Sequence, residues 1–168
     1  KEVKLLPPDE GIYHTAFSTI YSSSNNVSDN EVPYFENLTG KKIVWLNFQS
    51  DWFEGIKFPG ESVKNIWKNG AIPSIRMLPW SKYDKLDKTY SLKKIVDGKF
   101  DKELRKWATD LKKTDIPVLI GFAGEPNGDW FPWSGIQNGG GNKTGYGDKN
   151  LADGPELYRD AYRYIIDI

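Results

Sequence analysis

The residues IPVLIGFAGEPNGDWFPW, positions 116–133, join an apolar run to a turn that is rich in glycine and aromatic residues. The run up to Phe122 has the length and β-branched composition of a buried strand. Glycines inside the turn permit close backbone approach. We therefore expect Glu125 to project from the rim of a sheet, directly after a strand.

Three further runs of this kind lie upstream, and helical patterns alternate with them. The predicted strands are residues 11–17, 42–49, 71–78 and 116–122. The predicted helices are residues 30–38, 61–69 and 101–113, with a last one that opens at Gly154-Pro155. Alternating strands and helices predict a parallel sheet with right-handed crossovers. The continuous apolarity of the strands predicts that both faces of this sheet are covered.

Two α/β architectures fit this order of elements, a doubly wound open sheet and a (β/α)8 TIM barrel. The turn after the first strand, HTAFS at positions 14–18, is not a glycine-rich phosphate loop. Long, tryptophan-rich segments follow strands two and four, where barrels build active sites. We therefore predict a parallel barrel, of which residues 1–168 supply the N-terminal half. The remaining units are expected from the downstream chain.

Composition excludes several classes of partner. The chain has 23 basic and 23 acidic residues and no basic run, which argues against nucleic acid and anionic membranes as partners. No apolar stretch approaches the roughly 20 residues of a membrane span. With no cysteine, disulfides and thiolate metal sites are excluded. We expect a secreted protein whose signal peptide is absent from this sequence.

Aromatic residues make up 14% of the chain, and several tryptophans lie among loop residues. Trp130 and Trp133 follow Glu125 within one turn, and Asn127 offers a hydrogen-bond donor and acceptor beside them. Partial desolvation by these rings favours a protonated carboxyl, as a general acid requires. The alternative is a surface turn in which Glu125 forms a cap and the indoles pack underneath.

The stretch EPNGDWFPW, positions 125–133, resembles the acid/base signature of glycoside hydrolase family 26, a barrel family best known for β-mannanases. Weaker resemblances occur in the family's order. GIYHTAF at 11–17 is similar to its first strand, IVDGKFD at 95–101 to the lead-in to its fourth strand, and residues 155–168 to the following helix. The resemblance spans nearly the whole chain.

The resemblance implies a retaining endo-β-glycanase with two carboxylates and no cofactor. Glu125 matches the acid/base, and Asn127, Trp130 and Trp133 would contact the sugar chain. The nucleophile would be a glutamate at the end of a seventh strand, about 5–5.5 Å from Glu125 in the folded enzyme. That glutamate is missing from these residues, so residues 1–168 alone are predicted to be inactive. The resemblance implies mannan as the first choice of substrate, an endo-1,4-β-mannosidase-like activity. Gly124 replaces the histidine common in the family, which leaves mixed-linkage β-glucan and xylan as alternative substrates.

Four other side chains are candidates for sugar contact. His14 and Arg76 are predicted at strand ends that face the active site, and Trp80 and Trp52 lie just beyond strands. Trp45, Trp67 and Trp107 are predicted to be core residues, and the glycine-rich residues 138–148 a mobile loop. No metal site is predicted.

Two other functions fit the same residues. A non-catalytic carbohydrate-binding protein also needs aromatic platforms, and it needs no nucleophile. An unrelated βα domain would use its tryptophan-rich loop to pack against a partner protein.

Overall fold

The computed structural model describes residues 6–18 and 25–168. Strands and helices alternate along the chain. The strands are β1 (Thr15–Phe17), β2 (Trp45–Asp51), β3 (Ile72–Leu78) and β4 (Leu119–Phe122). The helices are α1 (Glu31–Thr39), α2 (Gly60–Lys68), α3 (Leu92–Val96), α4 (Asp101–Lys112) and α5 (Asp153–Asp167), with a 3₁₀ turn at Gly135–Asn138.

The four strands form one parallel sheet in the order β1-β2-β3-β4, and β1 pairs with β2 through Thr15 opposite Trp45. The predicted α/β class is confirmed at this level. The arrangement is consistent with part of a barrel, because consecutive strands are neighbours throughout. Among the described helices, none has the length and apolarity to cross a membrane.

Two of the four strands have only about half of their predicted length. The first begins at Thr15 rather than at residue 11, since Gly11 has φ +77° and interrupts the extended backbone. The fourth begins at Leu119 because Pro117 has no backbone N–H to enter the ladder. The five-residue helix α3 was not predicted at all. Such a helix covers little more than one turn and leaves no periodic pattern.

The chain divides into two compact units. The first comprises the described residues up to Ser50, together with Pro59–Arg76 and Leu111–Gly121. The second comprises Asp51–Phe58, Met77–Asp110 and Phe122–Ile168. Each unit has its own buried residues.

The core of the first unit lies under one face of the sheet. Leu46, Phe48 and Ile75 are at most 1% exposed, and Val63 and Ile66 of α2 are also fully buried. Alternate residues of β2 and β3 are only half-buried, and they include polar side chains. One face of these strands is therefore buried, and the residues of the other face are half-buried.

Trp67 corrects a second expectation in the first unit. It lies on α2 next to buried Ile66, yet it is 44% exposed. Its predicted core position is wrong because neighbouring residues on a helix point about 100° apart. In the second unit the corresponding prediction is confirmed: Trp107 of α4 is 5% exposed and meets the Phe58 ring edge-on at 5.3 Å.

Candidate active site

Glu125 follows β4 on a turn with unusual backbone geometry. Ala123 still pairs with β3, its amide donating to the Met77 carbonyl at 2.9 Å. The backbone then leaves the sheet with φ +49° at Ala123 and +58° at Glu125. A non-glycine residue in this region costs about 1–2 kcal/mol. Such strain persists where the surroundings enforce it, and it clusters at functional sites.

The Glu125 carboxylate is exposed rather than enclosed by aromatic rings. The prediction that several aromatic rings surround the Glu125 carboxyl is therefore wrong. One indole does reach the carboxylate, since Trp130 Nε1 donates to Glu125 Oε2 at 3.2 Å. This hydrogen bond fixes the direction of one carboxylate oxygen.

The Trp130 ring occupies the space that a side chain on Gly128 would fill. A Cβ on Gly128 would lie 2.5 Å from both Cε2 and Cζ2 of the Trp130 indole. The ring therefore lies directly on the Gly128 backbone. Because Trp130 is also 53% exposed, it presents an apolar surface to solvent beside Glu125. A sugar ring, which has apolar C–H faces, is well suited to such a surface.

Trp133 is part of the structural support beneath this turn. It is 1% exposed, stacks on Phe131 at 4.4 Å, and donates its Nε1 hydrogen to the Gly124 carbonyl at 2.8 Å. Trp80, at 8% exposure, packs edge-on against both rings, at 5.3 Å from Phe131 and 5.4 Å from Trp133. This aromatic cluster, Trp80, Phe131 and Trp133, anchors the backbone next to Glu125.

Trp52 is also buried, with no exposed surface. Its ring meets Tyr90 edge-on at 5.2 Å and lies 6.4 Å from Phe122. Trp52, Trp80 and Trp133 therefore have no face available to a sugar in this structure, contrary to the sequence-based expectation. Among the predicted tryptophans, Trp130 alone combines exposure with contact to Glu125. Asn127 is exposed as well and lies on the same turn.

The turn is closed by further hydrogen bonds within residues 125–138. Gly128 N donates to the Glu125 carbonyl at 3.2 Å, and Gly135 N donates to the Pro126 carbonyl at 2.9 Å. Asn138 Nδ2 donates to the carbonyls of Pro132 and Ser134 at 2.8 and 2.9 Å. The segment that carries Glu125, Asn127 and Trp130 is thus internally braced.

His14 and Arg76 belong to the first unit. His14 precedes β1, and its carbonyl accepts a hydrogen bond from Val44 N just before β2. It therefore lies at the amino end of the strands, and its predicted position at the carboxyl end is wrong because β1 starts later than expected. Arg76 lies on β3, with its guanidinium carbon 5.5 Å from the centroid of the Phe17 ring. This is cation–π geometry.

The glycine-rich residues 138–148, predicted to be mobile, are tied to α5. Gly145 N donates to Asp153 Oδ2 at 2.9 Å, and Asp148 N donates to Glu156 Oε2 at 3.0 Å. Both carboxylates are buried. The loop is therefore fixed to α5 at Gly145 and Asp148. Within the described residues there is no cluster of three or more His, Cys, Asp or Glu side chains suited to a metal ion.

Asp87 organises a loop and was not predicted as a functional or structural residue. It is 5% exposed and accepts hydrogen bonds from Thr89 N at 2.8 Å, Ser81 Oγ at 3.0 Å and Ser81 N. Burial works against ionisation, but the hydrogen bonds from Ser81 and Thr89 prevail and lower the pKa of Asp87 to about 2. Asp87 thereby fixes the loop that follows Trp80. The sequence Asp-Lys-Thr is a weak sign of such a turn.

Comparison with known proteins gives a distant relationship. No family model matches the chain. The chain is similar to Endoglucanase H of Acetivibrio thermocellus, with 26% identity over 141 residues, which covers 84% of this chain. It spans only 14% of the length of that protein. The similarity supports a distant relationship to glycosidases.

Proposed function

We propose that these residues form the first four βα units of a (β/α)8 glycoside hydrolase domain, resembling family 26, in which Glu125 is the acid/base. The observation that carries this proposal is the geometry of Glu125. It is an exposed carboxylate in a left-handed backbone conformation at the carboxyl end of a parallel strand. In barrels, that end of the strands is where catalytic residues lie. The relationship to an endoglucanase supports the same assignment.

The proposed reaction is retaining hydrolysis of a β-1,4-linked polysaccharide. Glu125 donates a proton to the glycosidic oxygen while a second carboxylate attacks the anomeric carbon and breaks the bond to that oxygen. The resulting glycosyl-enzyme ester is then hydrolysed. Glu125, now ionised, takes a proton from the attacking water, and the nucleophilic carboxylate is released. The nucleophile would come from chain outside residues 1–168.

The residues around Glu125 suit this reaction in different ways. The Trp130 N–H orients one carboxylate oxygen through its 3.2 Å hydrogen bond. The exposed indole provides a surface for a sugar ring at the cleavage point. Asn127, exposed on the same turn, is placed to hydrogen-bond sugar hydroxyls. We place β-glucan ahead of mannan and xylan as substrate, because the named relative is an endoglucanase. A polymeric plant substrate also implies a secreted enzyme.

Replacement of Glu125 by glutamine in the full-length protein tests the proposal. Loss of a general acid lowers turnover by about 10²–10⁴-fold. We expect this fall in kcat/KM on β-glucan, but a much smaller fall in kcat/KM on an aryl glycoside with an acidic phenol, which departs without protonation. The comparison uses kcat/KM because this quantity covers the steps up to the glycosyl-enzyme and excludes the later step in which Glu125 acts as the base. Glu103→Gln, on an exposed residue of α4, is the matched control and should leave both activities unchanged. Equal losses on the two substrates would rule out an acid role for Glu125.

A non-catalytic carbohydrate-binding protein is the second candidate, and the 53% exposure of Trp130 favours it equally. The same variants distinguish the two functions. A binding protein would show no hydrolysis in the wild type, and Glu125→Gln would leave its affinity for cellohexaose unchanged, whereas Trp130→Ala would abolish binding.

A further inference from the structure

The sequence contains three Asn-Gly pairs, Asn69-Gly70, Asn127-Gly128 and Asn138-Gly139. Asparagine is thermolabile, and a following glycine places no side chain beside the backbone nitrogen that attacks it. We propose that Asn127 is the position at which the folded protein deamidates spontaneously, and that this change damages the site around Glu125. The modification is independent of the proposed function, and only its effect on hydrolysis rests on that function.

The reaction needs only this dipeptide and water. The backbone nitrogen of Gly128 loses its proton and attacks Cγ of Asn127. The N–Cγ bond forms, the Cγ–Nδ2 bond breaks, and ammonia leaves a cyclic succinimide behind. Water then opens the ring on either side. Opening at Cγ gives aspartate, and opening at the backbone carbonyl gives isoaspartate, in which the main chain runs through Cβ and Cγ. Because the nitrogen must first be deprotonated, the rate rises with pH.

The hydrogen bonds of the three asparagine side chains differ. Asn69 Nδ2 donates to two backbone carbonyls at 3.0 and 2.9 Å and to the Asp29 carboxylate at 2.9 Å. Asn138 Nδ2 donates to two carbonyls of its own turn at 2.8 and 2.9 Å. Both residues are half-buried, whereas Asn127 is exposed. Within residues 6–18 and 25–168, no hydrogen bond holds the Asn127 side chain, so it alone is free to turn toward the following nitrogen.

The attacking nitrogens do not distinguish the three pairs. Gly128 N donates to a backbone carbonyl at 3.2 Å and Gly70 N to another at 3.0 Å. Gly139 N also donates to a backbone carbonyl. Each nitrogen must therefore leave a similar partner before it can attack. The side-chain hydrogen bonds are an additional cost at Asn69 and Asn138 alone, and they make the ring closure slower there.

The packing of Trp130 makes the reactive pair part of the site. A Cβ at residue 128 would lie 2.5 Å from two atoms of the Trp130 indole, so this position requires glycine. Isoaspartate at residue 127 would lengthen the main chain next to Gly128 and shift the ring that lies on it. That ring donates to Glu125 at 3.2 Å, so the shift reaches the carboxylate. Aspartate at residue 127 would keep the backbone but replace the amide donor by a negative charge.

The experiment incubates the full-length protein at alkaline pH in water that carries a heavy oxygen isotope. Peptide mass spectrometry then gives the label at each pair, and enzymatic methylation detects isoaspartate. We expect Asn127 to be labelled at least about tenfold faster than Asn69 and Asn138, a difference of about 1.4 kcal/mol in the barrier. In concentrated urea, where the hydrogen bonds are lost, the three rates should converge. Asn127→Gln should abolish labelling at residue 127, because glutamine must close a larger ring.

Equal or faster labelling at Asn69 or Asn138 in the folded protein would overturn the assignment, and so would labelling of Asn127 in urea alone. Hydrolysis of β-glucan by the same samples tests the damage. Activity should fall in step with labelling of Asn127, while Asn127→Gln keeps its own starting activity through the incubation. Full activity after complete labelling would overturn the damage to the site. If the fresh wild type hydrolyses neither β-glucan, mannan nor xylan, the proposed function fails and the damage claim fails with it, whereas the labelling still decides the position of deamidation.

Discussion

The Trp130 indole lies on the bare backbone of Gly128, so closely that a Cβ at Gly128 would stand 2.5 Å from two ring atoms. The same indole donates its N–H to Glu125 at 3.2 Å. Gly128 therefore positions Glu125 indirectly. The Trp130 ring can donate to Glu125 only because residue 128 has no side chain in its way. A single methyl group at this position is enough to test the arrangement.

Gly128→Ala should displace the indole and break its hydrogen bond to Glu125, because real Cβ atoms do not approach other atoms this closely. Turnover of β-glucan should fall at least tenfold. Trp130→Phe keeps a ring but removes the N–H donor, and it should reproduce part of the loss. The readouts are kcat, KM and tryptophan fluorescence. If Gly128→Ala retains wild-type turnover, the indole has no role in orienting the carboxylate.

The backbone at Glu125 gives a prediction about stability. With φ at +58°, a residue with a Cβ is strained by about 1–2 kcal/mol, and glycine is not. Glu125→Gly should therefore be more stable than Glu125→Ala by about 1 kcal/mol, the reverse of the usual order at exposed positions. Both variants should lose polysaccharide hydrolysis. Urea unfolding of the pair measures the difference, and an Ala variant as stable as the Gly variant would contradict strain at this turn.

Much of the fold was predictable because it follows from local patterns. Helix α4 carries Leu104 and Trp107 on one face, and the structure buries both. The exposure of loop tryptophans was not predictable in this way. Trp133 is buried because Trp80, far away in sequence, packs against it, and no local spacing encodes that contact. Trp130, three residues earlier, meets the Phe131 ring edge-on at 6.4 Å and is nevertheless 53% exposed. The local sequence thus predicted the position of Glu125. It did not distinguish the buried, supporting Trp133 from the exposed Trp130.

The ionisation of Asp87 makes the free energy of unfolding depend on pH in the acidic range. Its pKa is about 2 in the folded protein and about 3.8 when unfolded, so its contribution is complete above pH 3.8 and is lost as the pH falls through 2. The shift corresponds to about 2 kcal/mol. Asp87→Asn should lower the free energy of unfolding by about this amount at pH 7, and by much less at pH 2. Urea unfolding at both pH values measures this, and a deficit of equal size at pH 2 and pH 7 would exclude the ionised form as its source.

Trp130 and Trp133 form a natural pair for separating ligand contact from structural support. Trp133 is 1% exposed and holds the Gly124 carbonyl at 2.8 Å, whereas Trp130 is 53% exposed. Trp133→Ala should lower the free energy of unfolding by about 3–5 kcal/mol, the cost of removing a large core side chain. Trp130→Ala should cost less than about 1 kcal/mol and yet lower affinity for cellohexaose at least tenfold. Thermal unfolding of the two variants gives the first quantity. Calorimetric titration of Trp130→Ala and of its parent, both carrying Glu125→Gln to slow hydrolysis, gives the second. If Trp130→Ala binds cellohexaose as the wild type does, the exposed indole is not a sugar platform, and the surface role must lie with another residue of the turn.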